Sequence, residues 1–117
     1  MPSSILLVEN DQNLRQSIAL ILKRAGYYVT GTDHVEKLVD LLDSRAYDLL
    51  ILDLDIAKTR QLLRLSYNIN NHGMPILILT GHSISKKEPV DGLPTVSYLV
   101  KPIAPETILE RIGKLLQ

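Results

Sequence analysis

A chain of 117 residues has room for one domain that buries about two thirds of its unfolded surface, so residues 1–117 are expected to form a single domain. Its 13 basic and 13 acidic residues cancel, which leaves no broad field to draw in nucleic acid or an anionic membrane. Absence of cysteine excludes disulfides, thiolate catalysis and thiolate metal sites. With no secretion signal in Met1-Pro2-Ser3-Ser4 and no apolar run of spanning length, the expectation is a soluble cytoplasmic domain.

The first apolar run, Ile5 to Val8, reads as a strand and ends at Glu9, Asn10 and Asp11. Asp11 can cap a helix whose apolar positions Leu14, Ile18, Ile21, Leu22 and Ala25 recur at helical spacing, with Gly26 placed to stop it. Tyr27-Tyr28-Val29-Thr30 is a more polar strand, suited to a sheet edge. Asp33 and Glu36 are spaced like a capping box before a second stripe of Val35, Leu38, Val39 and Leu42. The run Leu49 to Leu52 is a third strand and ends on Asp53. Leu62, Leu65 and Ile69 make a thin stripe for a short third helix, cut off by Asn68, Asn70, Asn71 and Gly73. Ile76 to Leu79 is the fourth strand, followed by Thr80. Two prolines and a glycine between His82 and Pro94 oppose a continuous helix, so the fourth helix should be short or irregular. Val96 to Val100 is the fifth strand, interrupted by Ser97 and Tyr98 and followed by Lys101. Pro105 opens a last helix carrying Ile108, Ile112, Leu115 and Leu116.

Tyrosine is the sole aromatic residue type, so leucine, isoleucine and valine must fill the core. The four aliphatic runs read as strands buried on both faces, as in parallel sheets. Strict alternation of strand and helix then calls for a doubly wound α/β fold, a five-stranded parallel sheet with helices on both faces. In such folds the ligand site lies beyond the carboxyl ends of the strands. Glu9, Asp53, Thr80 and Lys101 all follow strand ends. An acid, a hydroxyl and a cation converging there can accept, hold and neutralise a phosphoryl group.

These segments together, Leu6-Leu7-Val8-Glu9-Asn10-Asp11, Tyr47 to Leu54, Ile78-Leu79-Thr80-Gly81-His82 and Tyr98-Leu99-Val100-Lys101-Pro102, resemble the receiver domain of bacterial two-component response regulators over essentially the whole chain. The resemblance implies a flavodoxin-like sheet of strand order 2-1-3-4-5. It also implies a signalling domain, not an enzyme beyond self-catalysed phosphoryl uptake and loss. Asp53 matches the phosphoacceptor, Thr80 the conserved hydroxyl, Lys101 the invariant lysine before a usually cis proline, and Tyr98 the aromatic switch. Glu9, Asn10, Asp53 and the backbone carbonyl of Asp55 match the Mg2+ ligands, and the Asp55 and His82 side chains match positions that tune phosphoryl loss. Implied partners are a sensor histidine kinase and a downstream output domain or protein, and the family also pairs through the face of the fourth helix, fifth strand and fifth helix.

The chain departs from the family in two places. Asn10 stands where an aspartate normally binds the metal, and a neutral amide is a poorer Mg2+ ligand than a carboxylate; Asp11 can compensate or serve as the helix cap. The proline-glycine turn after the acceptor is replaced by Leu54-Asp55-Ile56-Ala57-Lys58-Thr59-Arg60-Gln61, without the glycine that would give that loop its freedom. Both favour a second reading, a pseudo-receiver that binds partners without stable phosphorylation. A third, a haloacid dehalogenase-like phosphatase, has Asp53-Leu54-Asp55 in its favour. Against it, the motif is on the third strand, and only Glu106 and Glu110 follow Lys101. His34, His72 and His82 lack metal-ligand spacing, Lys86-Lys87 is too short for a nucleic-acid patch, and no Gly-rich phosphate loop follows the first strand.

Overall fold

Branched aliphatic side chains on consecutive residues fill both faces of the central strands, and five strands pair in parallel in a computed structural model that describes residues 2–33, 37–53, 74–81 and 96–117. The strands are β1 (Ser4–Val8), β2 (Tyr28–Thr32), β3 (Leu49–Asp53), β4 (Ile76–Thr80) and β5 (Val96–Val100), in the order β2-β1-β3-β4-β5. This is the doubly wound order 2-1-3-4-5. β1 is shared, with Ile5 opposite Val29 on one side and Leu49 on the other, and Leu50 of β3 lies opposite Ile76 of β4.

Alternation along the strands sorts the core onto two faces. Leu6, Val8, Leu50, Leu52, Ile76 and Ile78 pack with Leu38 and Leu42 of α2 (Leu38–Ser44). Ile5, Leu7, Leu49, Ile51, Leu77 and Leu79 pack on the other face with Ile18 and Leu22 of α1 (Gln12–Arg24) and Ile108 and Ile112 of α3 (Pro105–Leu115). Every residue of β3 and β4 is buried. At about 1.5–3 kcal/mol per buried large aliphatic side chain, these central strands hold their carboxyl ends rigidly in place.

The helix ends follow local chemistry. Asp11 is the N-cap of α1, its Oδ1 accepting from the Leu14 amide at 3.1 Å, so of its two expected roles it takes the cap. At the other end Gly26, with φ of 98°, lets its amide reach the Lys23 carbonyl at 3.0 Å while the Tyr27 amide reaches that of Leu22 at 3.1 Å. This paired closure is the Schellman motif. It takes Tyr27 out of the strand, so β2 runs from Tyr28 to Thr32 and not from Tyr27 to Thr30. Pro105 occupies the first turn of α3.

One expectation is corrected. Val96–Val100 is not buried on both faces: β5 lies at the sheet edge, Ser97 and Tyr98 are half-buried, and Val100 is exposed. An aliphatic run marks a strand; its neighbours decide how many faces are covered. β2, at the opposite edge, is the edge strand its polar sequence called for. The Asp33–Glu36 capping box and the third and fourth predicted helices fall on or extend into residues outside the described ones, and α2 is described from Leu38, with Lys37 as N-cap and no side-chain cap. Among the described residues no helix is long and apolar enough to cross a membrane.

Candidate functional site

Four strand ends deliver polar residues to one rim. Glu9 follows β1 directly and is fully buried. Its amide donates to the Thr32 carbonyl at 3.0 Å, and its carbonyl accepts from Arg15 Nη1 at 2.8 Å, which fixes the turn on both sides. Asp53 is the last residue of β3 and is also buried. Lys101, just past β5, reaches across the sheet: its Nζ donates to Glu9 Oε1 at 2.9 Å and lies 3.4 Å from Asp53 Oδ2. Thr80, buried at the end of β4, accepts the Lys101 amide on its carbonyl at 2.7 Å, tying the lysine's backbone to the hydroxyl-bearing residue. The Lys101–Pro102 peptide bond is cis.

Two carboxylates therefore share one ammonium in a dry setting. Burial, reinforced by a hydrogen bond to Asp53, raises the Glu9 carboxyl from 4.5 to about 7, against the opposing pull of Lys101. Burial by itself would lower the Lys101 ammonium, but its hydrogen bond to Glu9 and the charges of Asp53 and Glu9 outweigh that and hold it above its ordinary value. With both carboxyls ionised the trio carries one net negative charge, a deficit of positive charge in low dielectric.

Glu9 Oε2 is buried and has no hydrogen-bond partner among the described residues. A buried, unpaired carboxylate oxygen beside a second carboxylate suits a hard divalent ion. Mg2+ takes one or two carboxylates and completes its octahedron with water, so Glu9 and Asp53 fit it. No group of three or more candidate ligands occurs among the described residues, and Asn10 is exposed. The donor set is lean in charge.

Of the residues singled out from sequence, Glu9, Asp53 and Lys101 are brought into contact and Thr80 joins through the backbone. Tyr98 is half-buried against the cluster containing Val8 and Ile78. Asp55, His34, His72 and His82 lie outside the described residues. Glu106 and Glu110 are exposed on α3, Glu110 pairing with Lys114 at 3.3 Å, so neither adds to the acidic pair as a phosphatase of the haloacid dehalogenase type would require. Two arginines escaped sequence reasoning. Arg15 follows the Asp11 cap by one helical turn, and such a side chain leans back over the preceding turn. Arg111 sits beside the buried Ile112 and donates through Nη1 to Ser97 Oγ and, at 3.2 Å, to the Tyr98 carbonyl. A charged residue flanking an apolar helix stripe was the signal available for it.

Residues 5–113 match the family profile of the response regulator receiver domain. The cell cycle response regulator CtrA of Brucella ovis is 33% identical over 111 residues, covering 92% of this chain and 47% of that protein; the chain thus spans about half the length of the curated relatives it matches. Among solved structures, a putative response regulator from Chloroflexus aurantiacus superposes with a TM-score of 0.83 at 27% identity, covering 99% of this chain and 98% of that one. The chemotaxis response regulator CheY4 of Vibrio cholerae gives a TM-score of 0.87 at 23% identity, covering 99% and 100%, which speaks to the fold.

Proposed function

Since the chain belongs to the receiver-domain family of two-component response regulators, we propose that it takes a phosphoryl group from a histidine kinase onto Asp53 with Mg2+ and signals by changing the surface it shows to a partner. The observation that carries this reading is the Lys101 ammonium bridging the buried Glu9 and Asp53 carboxylates. That arrangement has few uses in a structural core, where two carboxylates on one lysine cost desolvation, and an evident one at a phosphoryl site.

Glu9, Asn10, Asp53 and the backbone carbonyl of Asp55 would hold the metal, which would supply positive charge to neutralise the phosphoryl oxygens. A lone pair on an Asp53 carboxylate oxygen forms the new O–P bond as the P–N bond of the donor phosphohistidine breaks; the imidazole nitrogen keeps that pair and takes a proton. Lys101 then transfers its charge-assisted contact from Glu9 and Asp53 to the phosphoryl group. The Thr80 hydroxyl donates to a phosphoryl oxygen and draws its loop inward, leaving space into which Tyr98 turns, and the Asp55 and His82 side chains set how long the acyl phosphate lasts. Residues 1–117 act as one receiver domain in the cytoplasm, with the kinase and an output domain or protein as partners and with pairing through the β5 and α3 face.

Intact mass after incubation with a small acyl-phosphate donor and Mg2+ tests the reading. The expected result is one phosphoryl adduct that requires Mg2+ and disappears in Asp53→Ala. No adduct, or one that survives Asp53→Ala, overturns it and leaves a receiver fold that works by binding alone.

A further inference from the structure

A cleft of about 320 Å3 lies at the other end of the sheet from the acidic rim, lined by Ser4, Lys23, Tyr27, Tyr28, Val29, Thr30 and Arg45. It crosses the starts of β1 and β2 between the last turn of α1 and the end of α2. Its charged lining is cationic only. Lys23 has a structural explanation, since a cation in the last turn of a helix complements the carbonyl end of its dipole. Arg45 follows α2 in extended conformation, and its guanidinium lies over the Tyr47 ring, 5.7 Å from the centroid, a cation–π contact that positions the charge without neutralising it. Among the described residues neither cation enters an ion pair.

Beside these charges β2 is open. As an edge strand it pairs, among the described residues, with β1 alone. The Tyr28 amide donates inward to Ser3, and alternation directs the backbone groups of Val29 and Gly31 away from β1 to the free edge. Tyr28, 62% exposed, lays a large amphipathic ring beside that edge. Aromatic and arginine side chains of this kind anchor protein contacts. The cleft is half open to solvent and lies beside a free strand edge, which suits an extended chain better than an enclosed small molecule.

We propose that this cleft and the free edge of β2 form a docking surface for an extended acidic peptide segment of a partner protein. Carboxylates of the segment meet Lys23 and Arg45, its backbone pairs with Val29 and Gly31 in the manner of β-augmentation, and an apolar side chain rests on Tyr28. The surface is separate from the Glu9, Asp53 and Lys101 rim, so occupancy of one leaves the other accessible.

The test is an amide NMR titration of the whole chain with an acetylated octapeptide alternating glutamate and valine. Shifts should concentrate at Tyr28 to Gly31 and around Lys23 and Arg45. The double variant Lys23→Glu/Arg45→Glu should bind at least about tenfold more weakly through loss of two charge-assisted contacts, and Tyr28→Ser should also weaken binding, while Asp53→Asn should match the parent. All three altered residues of the cleft are exposed, so the fold survives these changes, and unchanged resonances on α3 verify that. Absence of shifts on β2 at millimolar peptide, equal binding of a lysine–valine octapeptide, or reproduction of the same shifts by inorganic phosphate would each overturn the proposal.

Discussion

Replacing Glu9 with glutamine should flatten the dependence of stability on pH. Burial and the hydrogen bond to Asp53 raise the folded Glu9 carboxyl to about 7 from 4.5, so between those values the native state holds a proton that the unfolded chain releases. A raised folded value contributes stability that is present in full below the unfolded value and is lost as pH climbs through the folded one. At 1.36 kcal/mol per unit, the contribution falls by about 2 kcal/mol between pH 5 and pH 7.5. Glutamine cannot titrate and mimics the protonated acid. Urea unfolding of both proteins at the two pH values isolates the effect, because all other titrating groups are common to both and Lys101, held above its ordinary value, stays charged throughout. The stability of the parent minus that of Glu9→Gln should drop by about 2 kcal/mol from pH 5 to 7.5. Parallel slopes would show that Glu9 is not strained in the fold and refute the electrostatic picture of the rim.

Lys101→Met removes the ammonium that bridges Glu9 and Asp53 and should cost about 2 kcal/mol at pH 8, less at pH 5 where Glu9 takes up a proton; a penalty independent of pH would count against the bridging role. Asp11→Ala deletes the side-chain cap on the Leu14 amide and should destabilise by about 1 kcal/mol in urea, with Asp11→Asn near neutral. Arg111→Met breaks the link from α3 to Ser97 and the Tyr98 carbonyl and should cost about 1–2 kcal/mol, with faster amide exchange confined mainly to β5.

The sheet was legible because its central strands are short, aliphatic and unbroken: Leu49 to Leu52 and Ile76 to Leu79 can hardly be anything but buried strands between helical stripes. The caps of α1 were equally plain, since Asp11 and Gly26 act on neighbours in sequence. Tyr27 reads as a strand residue because its β propensity is visible, whereas the Schellman closure that claims its amide is set by backbone geometry at Gly26. Val100 looked buried for a similar reason: side-chain type does not say which strand ends up at an edge. At the rim, the convergence of Glu9, Asp53, Thr80 and Lys101 followed from their strand-end positions. What could not be read was how one ammonium divides itself, closer to Glu9 at 2.9 Å than to Asp53 at 3.4 Å, because that balance depends on burial and on carboxylates 44 residues apart in the chain. The Arg15 and Arg111 contacts were hidden likewise, each bridging a helix to a loop or strand that no local pattern connects.

The central claim is that Asp53 itself carries the phosphoryl group, and chemical trapping tests it without altering the protein. After treatment with an acyl-phosphate donor and Mg2+, borohydride reduces an aspartyl phosphate to homoserine, and peptide mass spectrometry locates the converted residue. Homoserine at position 53, formed only when donor and Mg2+ are both present, is the predicted result. Unconverted Asp53 under conditions that label a known receiver, or homoserine at another aspartate, would contradict the account.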